Sequence, residues 1–595
     1  MIKPYKTSCK SHQEELHVDR QTDRQTDRQT GELTGYPSID KPWLKYFSDE
    51  AINEPLPNCT LYEYLYDNNK DNLNGVAINY YGNRITYNEL FKQINTISCS
   101  FLEYGVKPGD VVTLVTLSCI PSVLCLYSLN RIGAVSNYLN VLASPKELEE
   151  NIKEAGSKIV ISLDLFADKT LRAAKAAKAK SVIVYTLGTG MPLPAQVGLK
   201  YKMRKLDKSF YRDPIVLRWN DFISCKNKDC LDIKKDPIKP CFLAHTGGTT
   251  GIPKSVLLND ISFNSVVQHY IRTVPHKKGE VYLSMLIPYV VYGTLINIHM
   301  PLCLGLETVI VPKFEPEKWT YYFRKYKVNH CCSIPAYFAP MVNNVALQKM
   351  DLSYFKTAGM GGEGMNVPLE MKLNQFFKEH NSSARVLMGY GMTEVCATAV
   401  AAFHSARKIG SVGIPLPHND IMIYNNEADE ECKYGEEGEI CLRCASEMIG
   451  YVGNDLESEK LFRVHQDGKK WLHTGDLGYI DTDGFVFIQG RLKRMIMTVI
   501  NGAVYKVAPR TVEEVIDKHP GVLESCVVRY KKGDNYLLKA YVVCQEGQNV
   551  SEKELIEHCA KRLSNNAQPY KYEIIDELPR TSAGKVNYRL LENQE

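Results

Sequence analysis

The sequence carries little net charge of either sign. Its 72 Lys and Arg stand against 68 Asp and Glu, leaving +4 over 595 residues, without the concentrated basic footprint that nucleic-acid binding needs. Nucleic acid is therefore not an expected partner. Its 18 cysteines show no paired framework and no secretory leader precedes them, which points to reduced thiols and a cytoplasmic location. The lone CxxC, Cys441 and Cys444 in "EICLRCASE", has no second CxxC or His pair in sequence to complete a zinc tetrahedron. Unbroken apolar runs are missing too. Residues 111–130 reach the roughly 20 residues that cross a bilayer, but Pro121, Ser118 and Ser122 divide them into a strand-like and a helix-like half. Val281 to Leu306 is interrupted by Pro288, Gly293, Pro301 and Gly305, so it reads as core elements joined by turns, and no membrane span is expected.

The chain is far longer than the roughly 100–200 residues of one domain, so a large multi-lobed body and a smaller unit are expected. Residues 1–35 stand apart. The repeat "DRQTDRQTDRQT", Asp19 to Thr30, is polar throughout and cannot bury enough apolar surface to offset its ordering entropy. It reads as a disordered tail or as a translated tetranucleotide repeat. From residue 36 to about 490, β-rich runs such as "DVVTLVTL", "KIVISL" and "ETVIVP" alternate with helical patterns, predicting α/β layers with largely parallel sheets. Lys175, Lys178 and Lys180 make one helix basic, either as a solvated face or as a docking surface for an acidic carrier or CoA phosphates. Past "FVFIQGRLKRMIM" the pattern becomes a short α+β unit, which predicts a boundary near Gly490 to Arg494, with 491–595 as a small C-terminal domain.

One stretch asks for phosphate. "FLAHTGGTTGIPKSV", residues 242–256, has Ile252 and Pro253 where the Walker loop needs glycine before its lysine, so that motif fails. What remains is Thr246, Gly247, Gly248, Thr249, Thr250 and Gly251, whose N–H groups and hydroxyls can wrap phosphate oxygens, with Lys254 as a point charge behind them. A second glycine pattern, "GMGGEG" (359–364), fits G-x-G-x-x-G, but the strand "ARVLMGYG" that follows ends without the acid a dinucleotide site requires.

"TGGTTGIPK" resembles the signature of the adenylate-forming superfamily, which includes acyl-CoA synthetases, luciferases and adenylation domains of peptide synthetases. "ITYNEL", "LNRIGAVSNYLN", "GGEGM", "GYGMTE", "GSVGIPLP", "TGDLGYIDTDGFVFIQGR" and "PRTSAGKVNYRLL" follow in the family's order and cover roughly residues 40–592. The resemblance implies a large AMP-binding domain and a small mobile α+β domain. It implies a reaction in which a carboxylate attacks the α-phosphorus of ATP, giving acyl-AMP and pyrophosphate.

By the same resemblance, Thr246 to Lys254 hold the β- and γ-phosphates, with Thr249 or Thr250 near Mg²⁺. Tyr390 stacks on adenine beside Gly389, Gly391 and Met392, and Gly362, Glu363 and Gly364 line the adenine face. Thr393 approaches the α-phosphate, and Glu394 ligates Mg²⁺, a hard cation that favours carboxylate oxygen. Asp476 accepts the ribose hydroxyls, and Arg491 lies beside the same sugar. Lys585, after a Ser-Ala-Gly turn, stabilises the adenylation transition state. Arg494 takes the hinge position, where the family more often has Asp or Lys.

Two further departures stand out: the spacing from Gly502 to Pro509 is seven where five is usual in the family, and "IPYVVYGTL" (287–295) lacks the family's histidine. The reading is an acid–CoA ligase, with a fatty or aryl acid suited to the apolar Val281 to Leu306 region. A stand-alone adenylation enzyme loading an amino or fatty acid onto a separate carrier protein, and a degenerate nucleotide-binding regulatory protein, are the alternatives.

Overall fold

A computed structural model describes residues 33–224, 233–246, 254–500, 503–532, 535–580 and 586–592. The repeat tail, the loop from Gly247 to Pro253 and Lys585 lie outside the described residues.

Two large sheets form the body. One runs Gly450–Tyr451, Ser255–Asn259, Pro240–His245, Val135–Leu139, Val111–Val115, Ile159–Leu163, Ser181–Tyr185, Val216–Arg218. The other runs Ile414–Pro415, Val400–Ala401, Val386–Tyr390, Thr357–Met360, His330–Ser333, Val281–Ser284, Glu307–Ile310, Val76–Tyr80, Asn83–Thr86. Their central pairings are parallel, and so is the edge pairing of Val216–Arg218, whereas the other three edges are antiparallel, as alternation of strands and helices predicts for the parallel part. A third, antiparallel sheet was not foreseen: Asp420–Asn425, Gly438–Arg443 and Lys470–Ile480 form its centre, and Val486–Arg491 pairs along the last of these.

The uncharged run 111–130 becomes a fully buried strand, Val111–Val115, and a helix, Ile120–Arg131, with Pro121 in its first turn. That proline costs nothing there, because first-turn N–H groups have no intrahelical acceptor. Every residue from Ile120 to Asn130 is buried, which is why the run is apolar all round. Leu126 and Val123 share one core cluster with Ile94 and Phe101 of the helix Tyr87–Glu103. Burying each such side chain contributes about 1.5–3 kcal/mol. Thr86 starts that second helix through a reciprocal capping box with Glu89. Among the described residues no helix is long and apolar enough to cross a membrane.

After Val486–Arg491 a 3-10 turn, Leu492–Arg494, leads into a hairpin, Ile496–Ile500 with Ala503–Val507, and a three-stranded sheet, Val522–Lys532, Asn535–Cys544 and Lys571–Ile574. This α+β unit has its own core around Val512, Ile516, Val527 and Leu538. Fourteen described cysteines are free thiols.

Candidate active site

The strand Val386–Tyr390 ends in a turn that only glycine permits. A Cβ on Gly391 would lie 2.1 Å from the carbonyl oxygen of Ala397, a contact that backbone cannot relieve. The chain then enters a 3-10 turn, Thr393–Val395, followed by Cys396 and Ala397 at φ +52° and +75°. Non-glycine residues in that region are strained, and such strain is usual where a backbone is shaped for a ligand. The tight turn carries Met392 and Thr393 to the mouth of a cavity and buries the Glu394 side chain.

Tyr451 donates its hydroxyl to Glu394 Oε1 at 2.8 Å. The same ring lies beneath Lys254, whose Nζ is 4.6 Å from the centroid and 2.9 Å from a Glu457 oxygen. Hydrogen bonds from Lys254 and Lys460 pull the Glu457 acid down to about 2. The ends of the threonine-glycine loop are tied together, because Thr246 N–H donates to Lys254 O at 3.0 Å and Lys254 N–H to Thr246 Oγ1 at 2.9 Å. Gly247, Gly248, Thr249, Thr250 and Gly251, between those ends, lie outside the described residues.

Tyr390, Asp476 and Arg491 meet. Tyr390 Oη donates to Asp476 Oδ2 at 2.7 Å, and Arg491 Nε lies 2.7 Å from Asp476 Oδ1. The antiparallel register that pairs Asp476 with Arg491 brings the last two together. Burial, then the Asp476 charge, raises the Tyr390 phenol well above its ordinary range, so it stays a hydrogen-bond donor.

Beneath Asp476 runs a buried polar chain: Gly475 N–H donates to Glu439 Oε1 at 2.9 Å, His473 Nδ1 lies 2.8 Å from Glu439 Oε2, and His473 Nε2 lies 2.8 Å from His465 Nε2. Cys441 sits 3.6 Å from His473 Nδ1. The CxxC that lacks a His pair in sequence thus acquires one in space, through Cys441 alone. Glu439 occupies the Nδ1 edge of His473 that faces Cys441, so these side chains form a hydrogen-bonded cluster.

Gly362, at φ +82°, turns the chain after Thr357–Met360. Glu363 next to it accepts from Ala336 N–H at 3.0 Å and lies 3.5 Å from Arg580 of the small unit. Gly364 is filled from the same side: a Cβ there would lie 1.8 Å from Arg510 Nη1. Arg510 donates to Met365 O at 3.0 Å, and Asn366 donates to Asp517 at 3.1 Å. Arg580 also pairs across a bridge with Val586. Arg494 points into the small unit instead, donating to Glu513 at 3.0 Å and Val527 O at 3.1 Å, with its guanidinium 4.6 Å from the Tyr588 centroid.

The cavity has a volume of about 330 Å³. Gly361, Gly362, Gly389, Gly391 and Thr393 form its polar end; Tyr270, Val274, Met300, Leu304 and Ile334 supply apolar wall. Tyr292, in the motif that lacks a histidine, lines it and donates to Ser333 O at 3.1 Å. Sequence reasoning singled out neither Tyr292 nor Tyr451, Glu457, Arg510 and Arg580. No local spacing marks them, since each earns its place by a contact with a distant segment.

The sequence model described as AMP-binding enzyme matches residues 66–452, and that described as AMP-binding enzyme C-terminal domain matches 511–585. A long-chain-fatty-acid–CoA ligase of Bacillus subtilis (strain 168) is 28% identical over 569 residues, 93% of this chain and 98% of the relative. A probable 4-coumarate–CoA ligase 1 of Dictyostelium discoideum is 26% identical over 506 residues, 83% of this chain and 87% of the relative. Among solved structures, ATP-bound MatB from Rhodopseudomonas palustris superposes with a TM-score of 0.77 at 22% identity, covering 90% of this chain and 98% of that one, which supports the fold. The chain belongs to the AMP-binding enzyme family.

Proposed function

We propose that this chain is an ATP-dependent acid–CoA ligase that forms an acyl-AMP and passes the acyl group to CoA. The observation that carries this reading is a junction. The Tyr390–Asp476–Arg491 cluster and the Lys254–Glu394 side converge on the turn Gly389–Thr393, which is also the polar mouth of an apolar cavity. Nucleoside, phosphates and an organic acid can therefore share one reacting centre.

Tyr390 offers a face to adenine, with Gly362, Glu363 and Gly364 beside it. Asp476 accepts the two ribose hydroxyls, exchanging the Tyr390 hydrogen bond for them, and Arg491 holds Asp476 in place. Thr246 to Lys254 grip the β- and γ-phosphates. Glu394 suits Mg²⁺: its carboxylate is a hard oxygen donor, steadied at Oε1 by Tyr451, and Oε2 accepts no hydrogen bond among the described residues. Thr250 is the second proposed ligand, and the ion would neutralise phosphate charge when bound.

A carboxylate oxygen at the cavity mouth forms a bond to the α-phosphorus as the bond to pyrophosphate breaks. Thr393 and the ammonium of Lys585 offset the charge that gathers there. In the second step the CoA sulfur bonds to the acyl carbon as the carbon–oxygen bond to AMP breaks, and the thiol proton passes to solvent. Domain limits of 36–490 and 491–595, with Arg494 at the hinge, fit the change of sheet at Leu492–Arg494. The named relatives use long-chain fatty acids or 4-coumarate; a fatty or aryl acid fits the apolar wall.

The test is acid-dependent ATP–pyrophosphate exchange across fatty and aryl acids, followed by product analysis with CoA. Exchange and acyl-CoA formation with a member of the panel are expected. Exchange with acyl transfer only to a holo-carrier protein would replace CoA as acceptor, and nucleotide binding without exchange for any acid would overturn the reading.

A further inference from the structure

One helix carries its apolar residues on the outside. Leu193–Lys202 buries none of its residues. Leu193, Val197 and Tyr201 are spaced four apart, so they form one stripe, and they are 76%, 68% and 68% exposed. Only Ala195 and Leu199 of this helix pack against the core. A surface helix ordinarily turns such a stripe inward, and an outward one marks a binding surface.

The surroundings are basic. Lys200, Lys202, Arg204, Lys205 and Lys208 are all exposed, with Asp207 as the one acid among them. This short segment thus holds a net charge as large as that of the whole chain, +4. The Arg204 guanidinium lies 4.2 Å from the centroid of the Tyr201 ring. The hydrogen bond from Lys318 lowers the Glu315 acid, with smaller contributions from Lys313 and Lys202, so the helix lies near the segment Lys313–Lys325. There Lys325 donates to the exposed Tyr321 at 2.8 Å.

An apolar stripe rimmed by lysine and arginine, with a tyrosine at their junction, matches one occupant. A bilayer containing anionic lipid presents acyl chains beneath a layer of phosphate, so the stripe can sink while the cations stay at headgroup level. Tyrosine favours that boundary. Ten residues of helix extend only about 15 Å, half the hydrocarbon thickness of about 30 Å, so the helix lies along the surface and does not span. We propose that Leu193–Lys202, with the basic segment through Lys208, is a peripheral docking surface for an anionic phospholipid bilayer.

Flotation of the full chain with phosphatidylcholine vesicles, with and without one-third phosphatidylglycerol, tests this. Binding to the anionic vesicles alone, reversed by salt, is expected. Leu193→Asp combined with Val197→Asp should lower partitioning at least about tenfold, because two apolar side chains no longer enter the bilayer. Lys202→Glu with Lys205→Glu should weaken binding as well, without altering the stripe. None of these residues lines the cavity, so pyrophosphate exchange in solution and the melting temperature should stay unchanged in both variants. Equal binding to neutral vesicles, or undiminished binding by both variants, would overturn the proposal. So would light scattering that shows a dimer dissociated by the Asp pair, which would assign the stripe to a second copy of the chain.

Discussion

Tyr390 Oη donates to Asp476 Oδ2 at 2.7 Å, so the residue proposed to face adenine and the residue proposed to hold ribose satisfy each other when no nucleotide lies between them. A ribose that took both oxygens of Asp476 would break that bond. Tyr390→Phe removes it while keeping the ring, so the KM for ATP in pyrophosphate exchange should stay within about threefold of the native value or fall. Tyr390→Ala loses the stacking face, worth ~1–3 kcal/mol for a base on an aromatic ring, and should raise that KM roughly 5- to 150-fold. Equal effects from Phe and Ala would show that the hydrogen bond, not the ring, matters.

Legibility in the sequence followed the range of the interaction. The strand and helix of 111–130 and the presence of a small α+β unit after the large α/β body follow from local pattern, because backbone sterics and side-chain period act over a few residues. The Tyr451–Glu394 hydrogen bond spans 57 residues, and Arg510 reaches Met365 across 145; no spacing rule encodes such crossings. The CxxC shows the same limit. Strand pairing sets Cys441 opposite His473, while Cys444 lies beyond the end of its strand, so adjacency in sequence was a poor guide to the cluster. Two strands of the third sheet, Asp420–Asn425 and Gly438–Arg443, are buried nearly throughout, so they show little of the alternation that marks an antiparallel strand.

Gly391 and Gly364 should respond differently to one added methyl. At Gly391 the obstacle is the Ala397 backbone, so Gly391→Ala should cost about 1–3 kcal/mol in unfolding free energy and abolish exchange. At Gly364 the obstacle is the end of a flexible arginine. Gly364→Ala should leave unfolding within about 0.5 kcal/mol but loosen the docked small unit, read as faster tryptic cleavage near Leu492–Arg494.

Asp517, which accepts from Asn366 across this contact, gives the docking an expected pH dependence. Burial pushes its acid up to about 7, against hydrogen bonds from Ser525 and Asn366 that lower it, while Glu513 and Glu524 raise it further. A carboxyl raised above its unfolded value of about 3.9 contributes stability that is complete below that pH and is lost as pH rises through about 7. The melting temperature should therefore fall between pH 5 and 8 by more in the native chain than in Asp517→Asn, whose side chain cannot ionise. Parallel profiles would mean that Asp517 does not titrate there.

Arg580 is the contact that brings the C-terminal segment to the cleft, since it reaches Glu363 at 3.5 Å and Glu524 at 2.8 Å while pairing with Val586. Lys585 precedes Val586 in sequence, and the proposed reading gives its ammonium the task of stabilising charge at the α-phosphorus during adenylation. Lys585→Ala should lower pyrophosphate exchange by about 10²–10³ yet leave thioester formation from supplied acyl-AMP within about threefold of native. Glu363→Gln, which loosens Arg580 and keeps Lys585, should produce a smaller loss in exchange, and added salt should reproduce part of it by screening the pair. If both half-reactions fell equally in Lys585→Ala, one fixed arrangement of the two units would have to serve both steps, and the hinge at Arg494 would have no catalytic role.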